Sequence, residues 1–216
     1  MKILEKTDQK YSFATNMPIN LANAIRRSVN DIPILAIDML EISKNDSALY
    51  DEILAHRVGL IPIKNEELKF REECSCNGKG CGKCSTKYKL KVKGPTIVYS
   101  TDLSPKGDVV EKMPIALLDK EQELEFVATT KMGIGKEHAK FTPGLFYYRY
   151  SEDANKSEVK EDDLNFKKVL EDAKKSEDNE LTVYIESWGQ IKAKDIFVKA
   201  IETLINNLKE FSKQIK

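Results

Sequence analysis

Only two histidines, His56 and His138, occur in the 216 residues, and all four cysteines fall between Cys74 and Cys84. With so few candidates no Ser/His/Asp or Cys/His set can be assigned. No GxxxxGK[ST] phosphate loop or GxGxxG fingerprint is present, and GIGKEHAK resembles a phosphate loop only superficially because its spacing is wrong. The acidic pairs are equally unpromising: Asp51 and Glu52 sit at a helix start, where carboxylates suit the dipole, and Asp162 and Asp163 sit in a charged connector. Net charge is absent too. Lys+Arg and Asp+Glu both number 35, so no global field draws the chain to nucleic acid or to an acidic membrane. The apolar runs fall far short of a membrane span, and MKILEKTDQK carries charges where a signal peptide needs its apolar region, so the sequence reads as cytosolic. No internal repeat is visible, and the length is enough for one large domain or two small ones.

The most informative stretch is Asn16 to Ile37, NMPINLANAIRRSVNDIPILAI. Wound as a helix, it gathers Met17, Leu21, Ala24, Ile25 and Val29 on one face and Asn16, Asn20, Asn23, Arg27 and Asn30 on the other. Thr15 and Asn16 are expected N-caps, Pro18 fits the first turn, and Pro33 ends the helix. Asn is a mediocre helix former that earns its place where its amide has a fixed partner. Two readings stay open: a core helix with a solvated back, or a docking helix whose Asn/Arg face meets another protein through multi-donor hydrogen bonds.

The remaining pattern is α+β. Tyr11-Ser12-Phe13 opens a strand, ILAIDMLEIS is a half-buried strand, LYDEILAHRVG is a helix, and Leu60 to Ile63 begins another strand. His56, in that helix, reads as a structural group. YKLKVKG, TIVYSTDLS, PIALL, the segment around ELEF, the aromatic GLFYYRY and LTVYIES follow as strands. Between the last two, residues 151–180 are densely charged, with a short amphipathic core around Leu164, Phe166, Val169 and Leu170, and read as an exposed connector. The chain closes on a long helix whose stripe includes Ala193, Phe197, Ala200, Leu204, Leu208, Phe211 and Ile215. Such a stripe fits either a single-chain core or a pairing seam.

Cys74, Cys76, Cys81 and Cys84 form C-x-C-x4-C-x-x-C on a loop with Gly78, Gly80 and Gly82. Two close thiolate pairs on reversing turns suit one tetrahedral Zn²⁺, with Lys79, Lys83 and Lys87 offsetting the residual negative charge. An Fe–S cluster or free thiols are the competing readings. Four protein ligands leave no position for water, so a zinc here would be structural.

Several segments together resemble the family of the archaeal DNA-directed RNA polymerase D subunit, kin to the bacterial alpha subunit's N-terminal domain and to the third-largest subunit of eukaryotic RNA polymerase II. They are NAIRRSVNDIPILAI (Asn23 to Ile37), DEILAHRVGLIPI (Asp51 to Ile63), VYSTDL (Val98 to Leu103), PIALL (Pro114 to Leu118), KEHAKFTPG (Lys136 to Gly144) and YIESWGQIKAKDIFVKAIETL (Tyr184 to Leu204), in the family's order. The resemblance implies a discontinuous alpha-type dimerisation domain, residues 1–40 and 180–216, built of sheet and helices including the terminal one. An inserted mainly-β domain, residues 41–179, would carry the metal loop 74–84 and the connector 151–179.

It further implies pairing with an L-type small subunit, docking onto the second-largest subunit, neighbours among the small N- and P-type subunits, and DNA contact only through the complex. Asn23, Arg26 and Arg27 match the family's large-subunit docking motif, and Lys136, His138, Lys140 and Phe141 match a block near that interface. Leu21, Ile25, Val29, Phe197, Ala200, Leu204, Leu208 and Phe211 are the expected dimerisation residues. Some D subunits carry a cysteine-rich Fe–S domain before the final strand; here 151–179 has no cysteine, and no such cluster is expected. Phe141 stands where the family often has Trp. A different class of reading is a free-standing zinc-loop adaptor that binds nucleic acid or protein through Lys79, Lys83, Lys87, Lys89, Lys91 and Lys93.

Overall fold

The structure, a computed structural model, describes residues 1–64, 68–150 and 180–215. Its residues group into two compact units. The first comprises Met1–Ile32 with the described parts of Gly144–Ser187 and Lys192–Lys216; the second comprises Pro33–Pro143 and Trp188–Ile191.

In the first unit, strands β1 (Lys2–Lys6) and β2 (Lys10–Thr15) join β8 (Gly144–Tyr150) and β9 (Leu181–Ser187) in an antiparallel sheet of order β1-β2-β9-β8. Register pairs Phe13 with Val183 and Phe146 with Ile185, which puts large apolar side chains on one face. Helices α1 (Ile19–Ser28) and α3 (Ala193–Gln214) cover that face. Phe197 of α3 packs its ring 5.0 Å from Phe13 and 6.4 Å from Phe146, making an aromatic centre for this core.

Helix α1 begins later than its capping residues suggest. The Pro18 carbonyl, rather than a Thr15 or Asn16 side chain, accepts the first amides, from Leu21 and Ala22 at 3.0 Å each. Its buried stripe is Ala22, Ile25, Ser28 and the following Val29, while Leu21 is 45% exposed. Ala22 and Ser28 share this inner face with Ile25 and Val29, and α1 lies against α3. The Ser28 hydroxyl is satisfied locally by donating to the Ala24 carbonyl at 3.0 Å.

In the second unit, β3 (Ile34–Asn45), β7 (Glu123–Gly133) and β4 (Lys87–Lys93) form an antiparallel sheet of order β3-β7-β4. A smaller pair, β5 (Thr96–Tyr99) and β6 (Pro114–Leu118), stands apart from it. Helix α2 (Asp51–Gly59) contributes Leu54 and Val58 to a core with Leu35, Ile37, Tyr88, Leu90, Phe126 and Ile115. Arg57 ties α2 to β6, its guanidinium donating to the carbonyls of Ile115 at 2.9 Å and Pro114 at 2.8 Å.

These units divide the chain differently from the expected boundaries at 40 and 180. β3 pairs with β7 from Ile34↔Gly133 onward, which carries Pro33 to Leu40 into the second unit. β8 pairs with β9 residue for residue from Gly144↔Ser187, which carries it into the first. Two expected strands are also shorter. Leu60 to Ile63 makes only a bridge from Ile63 to Val109, since Pro62 has no amide to give. β5 stops at Tyr99 because the Asp102 carboxylate accepts the Tyr99 amide at 2.8 Å and turns the chain. The connector 151–179, with its expected amphipathic core, lies outside the described residues.

Phe13 is fully buried at the aromatic centre. Phe13→Ala is expected to destabilise the protein by about 3–5 kcal/mol, read as a lower midpoint in denaturant unfolding.

Candidate metal centre and docking surfaces

The four cysteine sulphurs converge. All lie within 4.8 Å of one another, with Cys74 Sγ 3.6 Å from Cys81 Sγ and Cys76 Sγ 3.7 Å from Cys84 Sγ. Disulfides would need sulphurs at about 2.05 Å, so these are free thiols. A tetrahedron with Zn–S bonds of about 2.3 Å has edges of about 3.8 Å, close to these two separations. The turns that bring them together are local. The amide of Asn77 donates to the Cys74 carbonyl, those of Cys84 and Ser85 to the Cys81 carbonyl, and Asn77 and Gly78 take positive φ to reverse the chain. The Cys81 amide also donates to Cys84 Sγ at 3.3 Å, a contact that favours a thiolate.

The thiols differ in acidity. The Cys76 amide favours ionised Cys74, but burial and the three neighbouring thiols outweigh it and push Cys74 up to about 11. Burial raises Cys76, but hydrogen bonds from Cys74 and from the Gly80 backbone, with the remaining thiols, bring it down to about 7. The donor set fits a structural Zn²⁺ held by all four cysteines. Such an ion would cross-link a loop that supplies only Cys74, Cys84 and Ser85 to the buried set, and would release thiol protons on binding. Elemental analysis of protein purified from zinc-supplemented culture is expected to find one zinc per chain, and Cys81→Ser with Cys84→Ser to remove it while the far-ultraviolet circular dichroism is retained.

On α1, Asn23 and Arg26 are joined to each other. The Asn23 Oδ1 accepts from Arg26 Nε at 3.1 Å and Nη2 at 2.9 Å, which orients the guanidinium along the helix. Arg27 is exposed and has no hydrogen bond or ion pair with a described residue.

The Lys136–Phe141 block divides by burial. Lys136 and His138 are exposed, whereas Phe141 is buried with its ring against Gly133, where an added Cβ would meet ring carbons at 2.6–2.8 Å. Phe141 is therefore a packing residue that fixes the block in place. Lys140 reaches back to Asp38 at 2.8 Å and lies 5.1 Å over the Phe141 ring. Burial raises the Asp38 carboxyl, but the Lys140 hydrogen bond and the charges of Lys140, Lys131 and Arg71 outweigh it and hold it below its ordinary value. That stabilisation is present above the unfolded carboxylate value and is lost as pH falls through the lowered one. The Asp38 partner was invisible in the sequence, since 102 positions separate the two residues.

The expected dimerisation residues split in the same way. Ile25, Val29 and Ala200 are buried in their own unit, and Phe197 is largely enclosed by Phe13 and Phe146. Leu204 is half-buried, while Leu21, Leu208 and Phe211 are exposed, the last two at 58% and 60%. With Ile205 and Ile215, also exposed, they leave the second half of α3 as an uncovered apolar stripe.

Residues 31–144 match the family model described as the RNA polymerase Rpb3/RpoA insert domain. The DNA-directed RNA polymerase subunit Rpo3 of Archaeoglobus fulgidus is 40% identical over 151 residues, covering 66% of this chain and 57% of that one. The Rpo3 subunit of Methanocaldococcus jannaschii is 32% identical over 211 residues, covering 96% of this chain and 91% of that one, and that of Thermoplasma volcanium is 35% identical, covering 88% and 78%. The match thus spans less than two thirds of the Archaeoglobus relative but nearly all of the Methanocaldococcus one. An insert-domain match over the second unit, joined to similarity that runs almost end to end, shows that this chain belongs to the RNA polymerase Rpb3/RpoA family.

Proposed function

We propose that the chain is a non-catalytic assembly subunit of a multi-subunit DNA-directed RNA polymerase. It pairs with an L-type small subunit, and the pair forms the platform on which the second-largest subunit docks, with the small N- and P-type subunits alongside. It acts in the cytoplasm and meets DNA only through the complex. No helix among the described residues is long and apolar enough to cross a membrane.

The uncovered half of α3 carries this reading. A surface helix surrounded by water needs no apolar stripe, and exposed Leu208, Phe211 and Ile215 would each gain about 1.5–3 kcal/mol on full burial. A second long helix laid along the stripe supplies that burial, and Leu21 of α1 is a further exposed apolar side chain of the same unit. Arg27, exposed and unengaged, and Arg26, oriented by Asn23, are suited to donate to carboxylates or carbonyls of the second-largest subunit. Lys136 and His138 supply a second contact; Lys140 and Phe141 hold them in position. The metal loop is a structural accessory.

The nucleic-acid adaptor is the weaker alternative. Lys91 of β4 pairs with Glu125 at 2.6 Å and Glu123 at 3.6 Å, so the lysine ladder is interrupted by carboxylates of the next strand.

Leu208→Glu with Phe211→Glu is expected to abolish co-purification with the L-type subunit while leaving the lone chain folded. Arg27→Ala is expected to spare that pairing and weaken capture of the second-largest subunit about tenfold or more. Loss of L-type pairing in the Arg27 variant would contradict the assignment of the two surfaces.

A further inference from the structure

Strand β3 is an edge of its sheet, and from Asp38 to Ser43 no described backbone group pairs with its outer side. The opposite edge, β4, is partly closed, because Lys89 exchanges two backbone hydrogen bonds with Ser104 at 2.8 and 2.9 Å. The open stretch begins at a bulge between Ile37 and Met39 and borders a pocket of about 340 Å³ formed by β3, α2 and the Lys140 turn. Met39 and Leu60, 49% and 59% exposed, line that pocket with Leu40 and Ala55. A pocket whose apolar side chains stand among the polar Asp38, Glu52, His56, His138 and Lys140, beside unpaired strand amides and carbonyls, suits an extended polypeptide whose backbone completes the ladder and whose side chain enters the pocket.

Charge narrows the choice further. Asp38 is neutralised by Lys140, but the carboxylates of Glu41 on β3 and Glu52 on the pocket wall form no ion pair with a described residue. A segment with Lys or Arg flanking its apolar residue would pair with both.

We infer that the β3 edge at Asp38–Ser43 receives, by strand addition, an extended basic segment of the second-largest subunit, with one apolar side chain seated between Met39 and Leu60. This inference rests on the assembly reading and specifies how one of its contacts is made. It concerns residues of the second unit alone.

Hydrogen exchange followed by mass spectrometry tests it on the full chain with its L-type partner, before and after adding the second-largest subunit. Alternate amides in Asp38–Ser43 are expected to slow at least tenfold on addition of the large subunit. Leu60→Lys, at an exposed rim position that leaves the core untouched, is expected to remove that protection and weaken capture at least tenfold, and Glu41→Lys to weaken it several-fold. If the ternary complex forms and the segment exchanges at its former rate, strand addition is wrong while the assembly reading stands. If the wild-type pair captures no large subunit at all, the assembly reading fails and this inference falls with it.

Discussion

Helix α3 is buried in its own unit only along its first half. Its 22 residues span about 33 Å at about 1.5 Å per residue, and they pack on β2, β9, α1 and the turn Val29–Asp31. The buried positions on α3 accordingly end at Ala200, and Leu208, Phe211 and Ile215 face water. On its own, the stretch 201–214 would make a marginal helix, since most helical stability comes from packing an amphipathic face. The second half of α3 therefore has an intrinsic reason to seek a partner, and the rest of the first unit serves to hold its first half rigid. The Phe13, Phe146 and Phe197 cluster does that holding.

The second unit solves a different problem. Its three-stranded sheet is covered on one face by α2 and the β5-β6 pair, with Leu54, Val58 and Ile115 as the interdigitating residues. The cysteine loop leads into β4 through Thr86, whose amide donates to Thr130 Oγ1 at 2.8 Å. A metal held by the four thiols would thus stiffen the entry to β4 without contributing chemistry, a purpose that suits a closed ligand set. Phe141 over Gly133 and Lys140 against Asp38 fasten the turn that carries His138, so two residues of that block work by positioning others.

Much of this was legible in the sequence. Strict alternation marked β4 and β9, spacing of three and four marked α3, and C-x-C-x4-C-x-x-C marked the residues whose sulphurs converge. Hydrophobicity misjudged part of the inner face of α1, where Ala22 and Ser28 are buried and Leu21 is not, because the face a helix buries depends on its neighbours as well as on side-chain transfer energy. The same limit hid the sorting of the dimerisation residues into core and surface: Ala200 and Leu208 fall on one broad helical stripe, yet the first is buried and the second exposed. Long-range partners such as Lys140 and Asp38 leave no local periodicity to read.

The exposed half of α3 is proposed as the pairing surface for an L-type subunit. Light scattering on size-exclusion peaks of the chain alone and co-expressed with that subunit tests it most directly. A self-associating or aggregating lone chain and a discrete one-to-one heterodimer on co-expression are expected. A stable monomer whose mass is unchanged by the L-type subunit would contradict it.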